Sequence, residues 1–192
     1  MDPLLVILDL DETLIHAPDR PSARAADLVV MGVPIYKRPH VDVFVSGLLE
    51  AYRVAIWTAA GREYAEAVLA ALRIDAARLE FVWCAERCTE RFDDETRRRN
   101  TVKPLRKVRR RGYDLERVLF VDDSPDKHVL NYGNLVAVRP FEGDGDDAEL
   151  PLVRAYIDTL AAEPNVRKID KRRWREEIAD AHRSRGHGRA AP

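Results

Sequence analysis

The stretch VILDLDETL, residues 6–14, sets an apolar run against three acids within four positions. With Leu4 and Leu5 it opens as LLVIL (4–8), the pattern of a strand buried on both faces. A buried strand tolerates Asp9 and Asp11 only where something compensates them, because an unpaired buried carboxylate is very costly. The run therefore predicts a central strand whose carboxyl-end acids are compensated from outside the strand, by a metal ion and a phosphate.

The surrounding chain is an ordinary globular one. Its 192 residues suit one domain with a real core. Apolar content of 46% and charged content of 34% fit a folded protein, and a net charge of −1 makes no global case for nucleic acid or a membrane. No apolar stretch approaches a membrane span, and no basic leader precedes the first strand. Two cysteines, Cys84 and Cys88, are too few for a disulfide framework, so the expectation is a cytoplasmic protein, a monomer by default.

Further along, residues 17–26 read as a loop, and DLVVMGVPIY (27–36) as a hairpin about Gly32, with Pro34 suggesting an edge strand. Val41, Phe44, Val45, Leu48, Leu49 and Tyr52 have helical spacing and predict a helix over 40–52. RVAIWT (53–58) is a second buried strand, and residues 62–73 a helix. LEFVWC (79–84) is a third strand, and 85–104 a polar, irregular insertion. RVLFVDD (117–123) and NLVAVRP (134–140) are the fourth and fifth strands. A helix over 147–162 is expected, capped by Asp146 or Asp147, then a basic helix at 170–184 and a disordered tail, RSRGHGRAAP. A domain over 1–165 is thus followed by a basic C-terminal segment, 166–192. Alternating strands and helices imply a mainly parallel sheet covered on both faces.

Three strands end in polar chemistry: Asp9 with Asp11, then Thr58, then Asp122 with Asp123. In an open parallel sheet the carboxyl ends of adjacent strands converge on one ligand crevice. Lys103 is placed to approach it from the irregular segment. Crowded carboxylates raise one another's pKa, and a hard divalent cation relieves the conflict. Magnesium suits such a site, since it takes one or two carboxylates and bridges phosphate oxygens.

DLDET, WTAA, VKPL and VDDSP resemble, in order, the four motifs of the haloacid-dehalogenase (HAD) superfamily of phosphohydrolases. KRPHV (37–41) and VDDSP (121–125) are especially similar to its CTD-phosphatase-like branch, also called NLI-interacting-factor-like. The likeness spans about residues 4–162. It implies an α/β fold: a HAD-like Rossmannoid three-layer sandwich with a central, mainly parallel sheet, no large cap, and a small insertion between the second and third motifs. It also implies a magnesium-dependent phosphomonoesterase. Asp9 would be the nucleophile and Asp11 the general acid and base, its backbone carbonyl on the metal. Thr58 would hold the phosphoryl group, and Lys103 would neutralise its oxygens and restrain Asp9. Ala59 and Arg87 join Thr58 and Lys103 as implied substrate contacts. The residues alone leave open which of Asp122 and Asp123 binds metal; the resemblance favours Asp123 with Asp9 and Asp11, and makes Asp122 the partner of the lysine.

Blander readings stand beside these. Asp after a strand is a common turn residue, Thr58 suits a strand, Lys103 suits a solvated surface, and DDSP suits a helix start. Four motifs in order outweigh them. Cys84 and Cys88 lack the further ligands that a zinc site needs and read as buried thiols. His16 and His40 read as structural. The run RRRNTVKPLRKVRRR (97–111) carries nine basic residues and no acid. It is either a solvated face balanced by Asp93, Asp94 and Glu95, or a basic rim steering an anion to the crevice. Trp174 is expected to dock the basic helix.

The chain departs from its likeness at the substrate end. The segment between DLDET and KRPHV is short and poor in aromatics, Ala85 stands where the family has a substrate arginine, and Pro104 replaces an aspartate in VKPL. The chemistry therefore carries over and the peptide specificity does not. The expected substrate is a phosphoserine or phosphothreonine protein, with a polynucleotide end or a small phosphate ester as alternatives and no membrane partner. A non-catalytic binding module on the same scaffold is the reading of another class, and retention of every reactive group argues against it.

Overall fold

A computed structural model describes residues 2–18, 24–93 and 97–187. Its elements in chain order are β1 (Leu5–Leu8), β2 (Ile15–His16), β3 (Leu28–Val30), β4 (Val33–Lys37), α1 (Val41–Ala51), β5 (Arg53–Trp57), α2 (Arg62–Ala71) and β6 (Val82–Trp83). There follow β7 (Thr89–Asp93), β8 (Arg98–Val102), α3 (Arg106–Arg109), β9 (Val118–Asp122), β10 (Leu135–Ala137), α4 (Glu149–Ala161) and α5 (Trp174–His187).

β1 is the middle of a five-stranded, wholly parallel sheet ordered β10-β9-β1-β5-β6. Its alternation of side chains builds both cores, since successive residues of a strand face opposite ways. Val6 and Leu8 join the larger core with Phe44, Leu48, Val68, Val153 and Ile157 from the helices. Leu5 and Ile7 join the other, where Trp57, Phe81, Trp83 and Phe120 pack against Leu105 and Val108 around α3. Trp57 meets Trp83 edge to face at 4.8 Å, and Phe81 stacks on Trp83 at 4.2 Å. The chain runs outward from β1 to β5 and β6, then returns to place β9 and β10 on the opposite side. Strand order therefore reverses between β1 and β9, and the ligand crevice of such a sheet lies at that switch point.

Several local expectations are revised. Residues 85–104 are not irregular: β7 and β8 form an antiparallel ribbon, pairing Thr89 with Val102 through Asp93 with Arg98. Its polar sequence lacks apolar alternation because the strands have no second sheet to bury against. The third strand is only Val82–Trp83 and the fifth only Leu135–Ala137, since edge strands pair only where a neighbour reaches them. β4 is the centre of a small sheet, β2-β4-β3, and not an edge. Pro34 is tolerated because β2 pairs only at Tyr36 and Lys37, so no strand faces Pro34 on that side. The hairpin turn has left-handed backbone at both Met31 (φ 52°) and Gly32 (φ 81°), the requirement of a two-residue primed turn. Asp147 accepts from the Glu149 amide at 3.0 Å, although Ala148 is the residue that precedes α4.

The C-terminal helix is docked. Trp174 is buried, stacks on Tyr156 at 5.5 Å and donates from its indole to the Ala137 carbonyl at 2.9 Å. The helix persists to residue 187, inside the stretch expected to be disordered; residues 188–192, like Asp94 and Glu95, lie outside the described residues. No helix among the described residues is long and apolar enough to cross a membrane.

Candidate active site

Asp9 and Asp122 stand at the carboxyl ends of adjacent parallel strands, where the register pairs Leu8 with Val121. Both are buried, and between them lies the equally buried ammonium of Lys103. Its Nζ is 2.8 Å from Asp9 Oδ2 and 2.6 Å from Asp122 Oδ2. The ammonium thus compensates both acids from within the chain, in addition to the metal ion and phosphate expected from the sequence. Lys103 follows β8 directly and is held by its backbone: its amide donates to the Lys127 carbonyl at 2.9 Å, and its carbonyl accepts from Asn131 Nδ2 at 2.9 Å.

Asp122 is fully occupied. Its Oδ2 also meets His128 Nε2 at 2.9 Å, and its Oδ1 accepts from the Ser124 amide at 2.9 Å. Burial pushes this carboxyl up, but Lys103 and His128 outweigh it and hold it well below the usual carboxylate range. Burial pushes the Lys103 ammonium down, and the two aspartates more than reverse the effect. Burial also keeps His128 low, so it is a neutral imidazole that donates from Nε2; its Nδ1 has no partner among the described residues. Asp9 accepts from the Leu10 amide at 2.8 Å and has Lys127 Nζ at 3.5 Å. Desolvation dominates there: burial raises its pKa to about 7 against the pull of Lys103.

Past Asp9 the chain folds into a tight turn. The amides of Thr13, Leu14 and Ile15 all converge on the Leu10 carbonyl, at 3.2, 2.8 and 3.2 Å, and Glu12 takes left-handed backbone (φ 55°). The turn points the half-buried Asp11 toward α2, where Tyr64 donates to its Oδ1 at 3.0 Å. Burial raises the Asp11 pKa, with Tyr64 opposing. The buried Thr13 reaches the other motif, its hydroxyl 3.3 Å from Asp123 Oδ1, while Ser124 Oγ donates to Asp123 Oδ2 at 3.1 Å. Thr58 is buried beyond β5, and its Oγ1 accepts from the Ala60 amide at 3.0 Å.

Asp9, Asp122 and Asp123 offer carboxylate oxygens that all lie within 4.8 Å of one another, the acidic cluster among the described residues able to hold a metal ion. The donor set is all oxygen, which suits a hard divalent cation. Arg87 is not drawn into this cluster by any ion pair; its guanidinium lies 4.4 Å over the Trp83 ring. Ala59 is half-buried beside Thr58. Cys84 is buried and Cys88 half-buried, both free thiols, and Cys88 Sγ lies 3.7 Å from the Thr58 carbonyl. His16 is 3.4 Å from Glu12 and packs on Tyr36 and Phe141.

Sequence reasoning missed Thr13, Tyr64, Lys127 and His128. Thr13 was legible as the last letter of DxDxT, and Lys127 and His128 as a cation and an imidazole two and three residues past DDSP. Tyr64 gave no signal, since helical spacing does not reveal which loop a helix faces. KRPHV also acquires a physical role. Arg38 is fully buried and forks onto Asp147, with Nε to Oδ1 and the terminal nitrogen to Oδ2 both at 2.8 Å. It donates as well to the carbonyls of Thr13 (3.1 Å) and Arg139 (3.0 Å), so it ties the turn after Asp9 to the segment leading into α4.

The model of NLI interacting factor-like phosphatases matches residues 4–167. The human carboxy-terminal domain RNA polymerase II polypeptide A small phosphatase 1 is 33% identical over 178 residues, covering 88% of this chain and 63% of that protein. Phosphatase Herzog of Drosophila melanogaster is 32% identical over 174 residues, covering 85% of this chain and 46% of that protein. The chain thus spans from under half to under two thirds of the length of these relatives. The structure of Fcp1, an essential RNA polymerase II CTD phosphatase, has the same fold, with a TM-score of 0.53 at 19% identity over 95% of this chain and 63% of that one. With its match running from β1 to beyond α4, the chain belongs to the NLI interacting factor-like phosphatase family, in the CTD-phosphatase-like branch of the HAD superfamily.

Proposed function

We propose that this chain is a magnesium-dependent phosphomonoester hydrolase, working through an aspartyl phosphate on Asp9 and acting on a phosphoserine or phosphothreonine protein. The single observation that carries the reading is the Lys103 ammonium bridging Asp9 and Asp122 at the sheet's switch point. An Asp9 oxygen attacks phosphorus, and the ester P–O bond breaks. Asp11 gives its proton to the departing oxygen, a role suited to a carboxyl that burial holds protonated more readily than usual. Asp11 then takes a proton from water, whose oxygen attacks the phosphoryl group and frees Asp9. Lys103 neutralises the phosphoryl oxygens throughout. Thr58 accepts from Ala60 and keeps its own hydroxyl hydrogen to donate to the phosphoryl group. The Ala59 backbone and Arg87 are further substrate contacts in this reading.

Magnesium, when bound, screens the phosphate charge from Asp9 and favours the ionised nucleophile. Its protein ligands are assigned as Asp9, the Asp11 carbonyl and Asp123. Hydrogen-bond accounting supports Asp123 over Asp122: the oxygens of Asp122 already serve an ammonium, an imidazole and an amide, whereas Asp123 meets only two hydroxyls. Relatives named for dephosphorylating the polymerase carboxy-terminal domain support a phosphoprotein substrate. Free thiols at Cys84 and Cys88 support a cytoplasmic setting.

The test is turnover of a generic phosphate ester with and without magnesium, then of phosphopeptides, phosphorylated oligonucleotides and metabolites. Metal-dependent hydrolysis that vanishes in Asp9→Asn, with the fold intact, is expected. Undiminished hydrolysis by purified Asp9→Asn refutes the nucleophile, and inactivity of the wild type toward all of these substrates favours the binding-module reading.

A further inference from the structure

The β7–β8 ribbon and the segment after Lys103 form a basic surface that catalysis does not use. Arg97 and Arg99 on the ribbon side, and Arg106, Arg109 and Arg110 beyond, are exposed. None of the five pairs with a carboxylate among the described residues, whereas Arg53, Arg62, Arg154, Arg172 and Arg173 elsewhere on the surface each have one. The acids nearest in sequence, Asp93, Asp94 and Glu95, have side chains outside those described, and among the described side chains these five arginines form a positive patch a few residues either side of Lys103. The ribbon's Glu90 faces Thr101 and neutralises none of these arginines.

An aromatic group accompanies the charge. Phe92 sits directly opposite Arg99 in the ribbon and is 49% exposed. Cross-strand partners share one face, so ring and guanidinium present a combined stacking and phosphate-contacting surface. Chain length alone keeps Arg99 within about 14 Å of Lys103, and Arg106 within about 11 Å.

We propose that this ribbon and the adjoining arginines bind single-stranded nucleic acid, with phosphates on the guanidinium groups and a base on Phe92. Exposed aromatics interleaved with unpaired cations are what a single strand uses, because every base has a face to stack and every linkage carries a charge. An acidic or phosphorylated peptide satisfies the arginines without needing the phenyl ring, so the response to Phe92→Ala separates the two. This binding goes beyond the catalytic reading and does not depend on it.

The experiment is fluorescence anisotropy of the full chain with a labelled 12-nucleotide single strand, DNA and RNA, bearing hydroxyl ends so that no turnover intervenes. Neutralising four phosphates gives a log–log salt slope of about −2.8, so affinity falls about 50-fold between 50 and 200 mM salt. Phe92→Ala is expected to weaken binding about 5-fold or more. The pair Arg99→Glu and Arg106→Glu is expected to abolish it, with hydrolysis of a generic phosphate ester unchanged. No binding at 50 mM salt overturns the proposal, as does binding that neither change affects. A polyglutamate or phosphopeptide of equal charge that binds as tightly, with Phe92→Ala silent, also overturns it and assigns the surface to a protein partner. Each of these results leaves the phosphatase reading intact.

Discussion

Replacing Lys103 by methionine tests the electrostatic core of the site. The change keeps an unbranched side chain one atom shorter and removes the charge, leaving two buried aspartates facing one another without the ammonium that sits 2.8 and 2.6 Å from them. Breaking a buried pair by deleting one partner costs about 3–5 kcal/mol, because the remaining charge is stranded. For a chain of this size, about 3 kcal/mol lowers the melting temperature by roughly 6–12 °C. The sign of the pH dependence follows. Without Lys103 the carboxyls of Asp9 and Asp122 are both raised above their unfolded values, so the folded variant holds protons that the unfolded chain releases. The variant is therefore relatively most stable below the unfolded carboxylate pKa of about 4 and loses stability as pH rises toward 7. Magnesium partly restores the loss at neutral pH, since a cation bound only by the folded state adds its binding free energy. Turnover falls about 100- to 1,000-fold, the range for removing one preorganised charge-stabilising donor. Thermal melts across pH 4–8 with and without magnesium, alongside initial rates, make the measurement. A variant that melts and turns over like the wild type at every pH refutes the reasoning.

The fork between Arg38 and Asp147 makes a second prediction: Asp147→Asn destabilises the domain by about 3 kcal/mol in urea unfolding, because it strands a buried guanidinium. Burial lifts the Asp147 carboxyl, but Arg38 brings it below the usual range, so its contribution is present above about pH 4 and is lost only on acidification below that; the variant's stability deficit should shrink there. Tyr64→Phe removes a donor that lowers the Asp11 pKa, and the alkaline limb of kcat/KM moves to higher pH, where Asp11 must still carry the proton it donates. Asp123→Asn raises the magnesium concentration for half-maximal activity at least about 10-fold, read from a metal titration.

How much of this was legible in the sequence follows from where the physics is local. LLVIL, RVAIW and VLFVD are continuous apolar runs, and such runs are central strands because only central strands are buried on both faces. Their polar ends then had to converge, which placed Asp9 beside Asp122, as the structure has them, and proposed Thr58 with them. Lys103 needed the family likeness, since a lysine inside a basic run looks solvated until the partner that buries it is known. The β7–β8 ribbon was invisible because its residues pair with each other and pack on little else, so no alternation marks them. Lys127 and His128 were hidden behind the helix-start reading of DDSP, which the structure has: Pro125–His128 is a single helical turn whose last residues face Asp9 and Asp122. Arg38 shows the opposite limit. Its motif was conspicuous, yet its partner lies 109 residues away, and no local rule names Asp147.

The claim on which the account rests is that Asp9 itself becomes phosphorylated. Rapid acid quench during turnover of a phosphate ester, followed by borohydride reduction and peptide mass spectrometry, reports the modified side chain directly. The account predicts modification at Asp9, absent in Asp9→Asn and without substrate. Modification of a different residue, or full turnover with no acyl phosphate captured at any quench time, would contradict it.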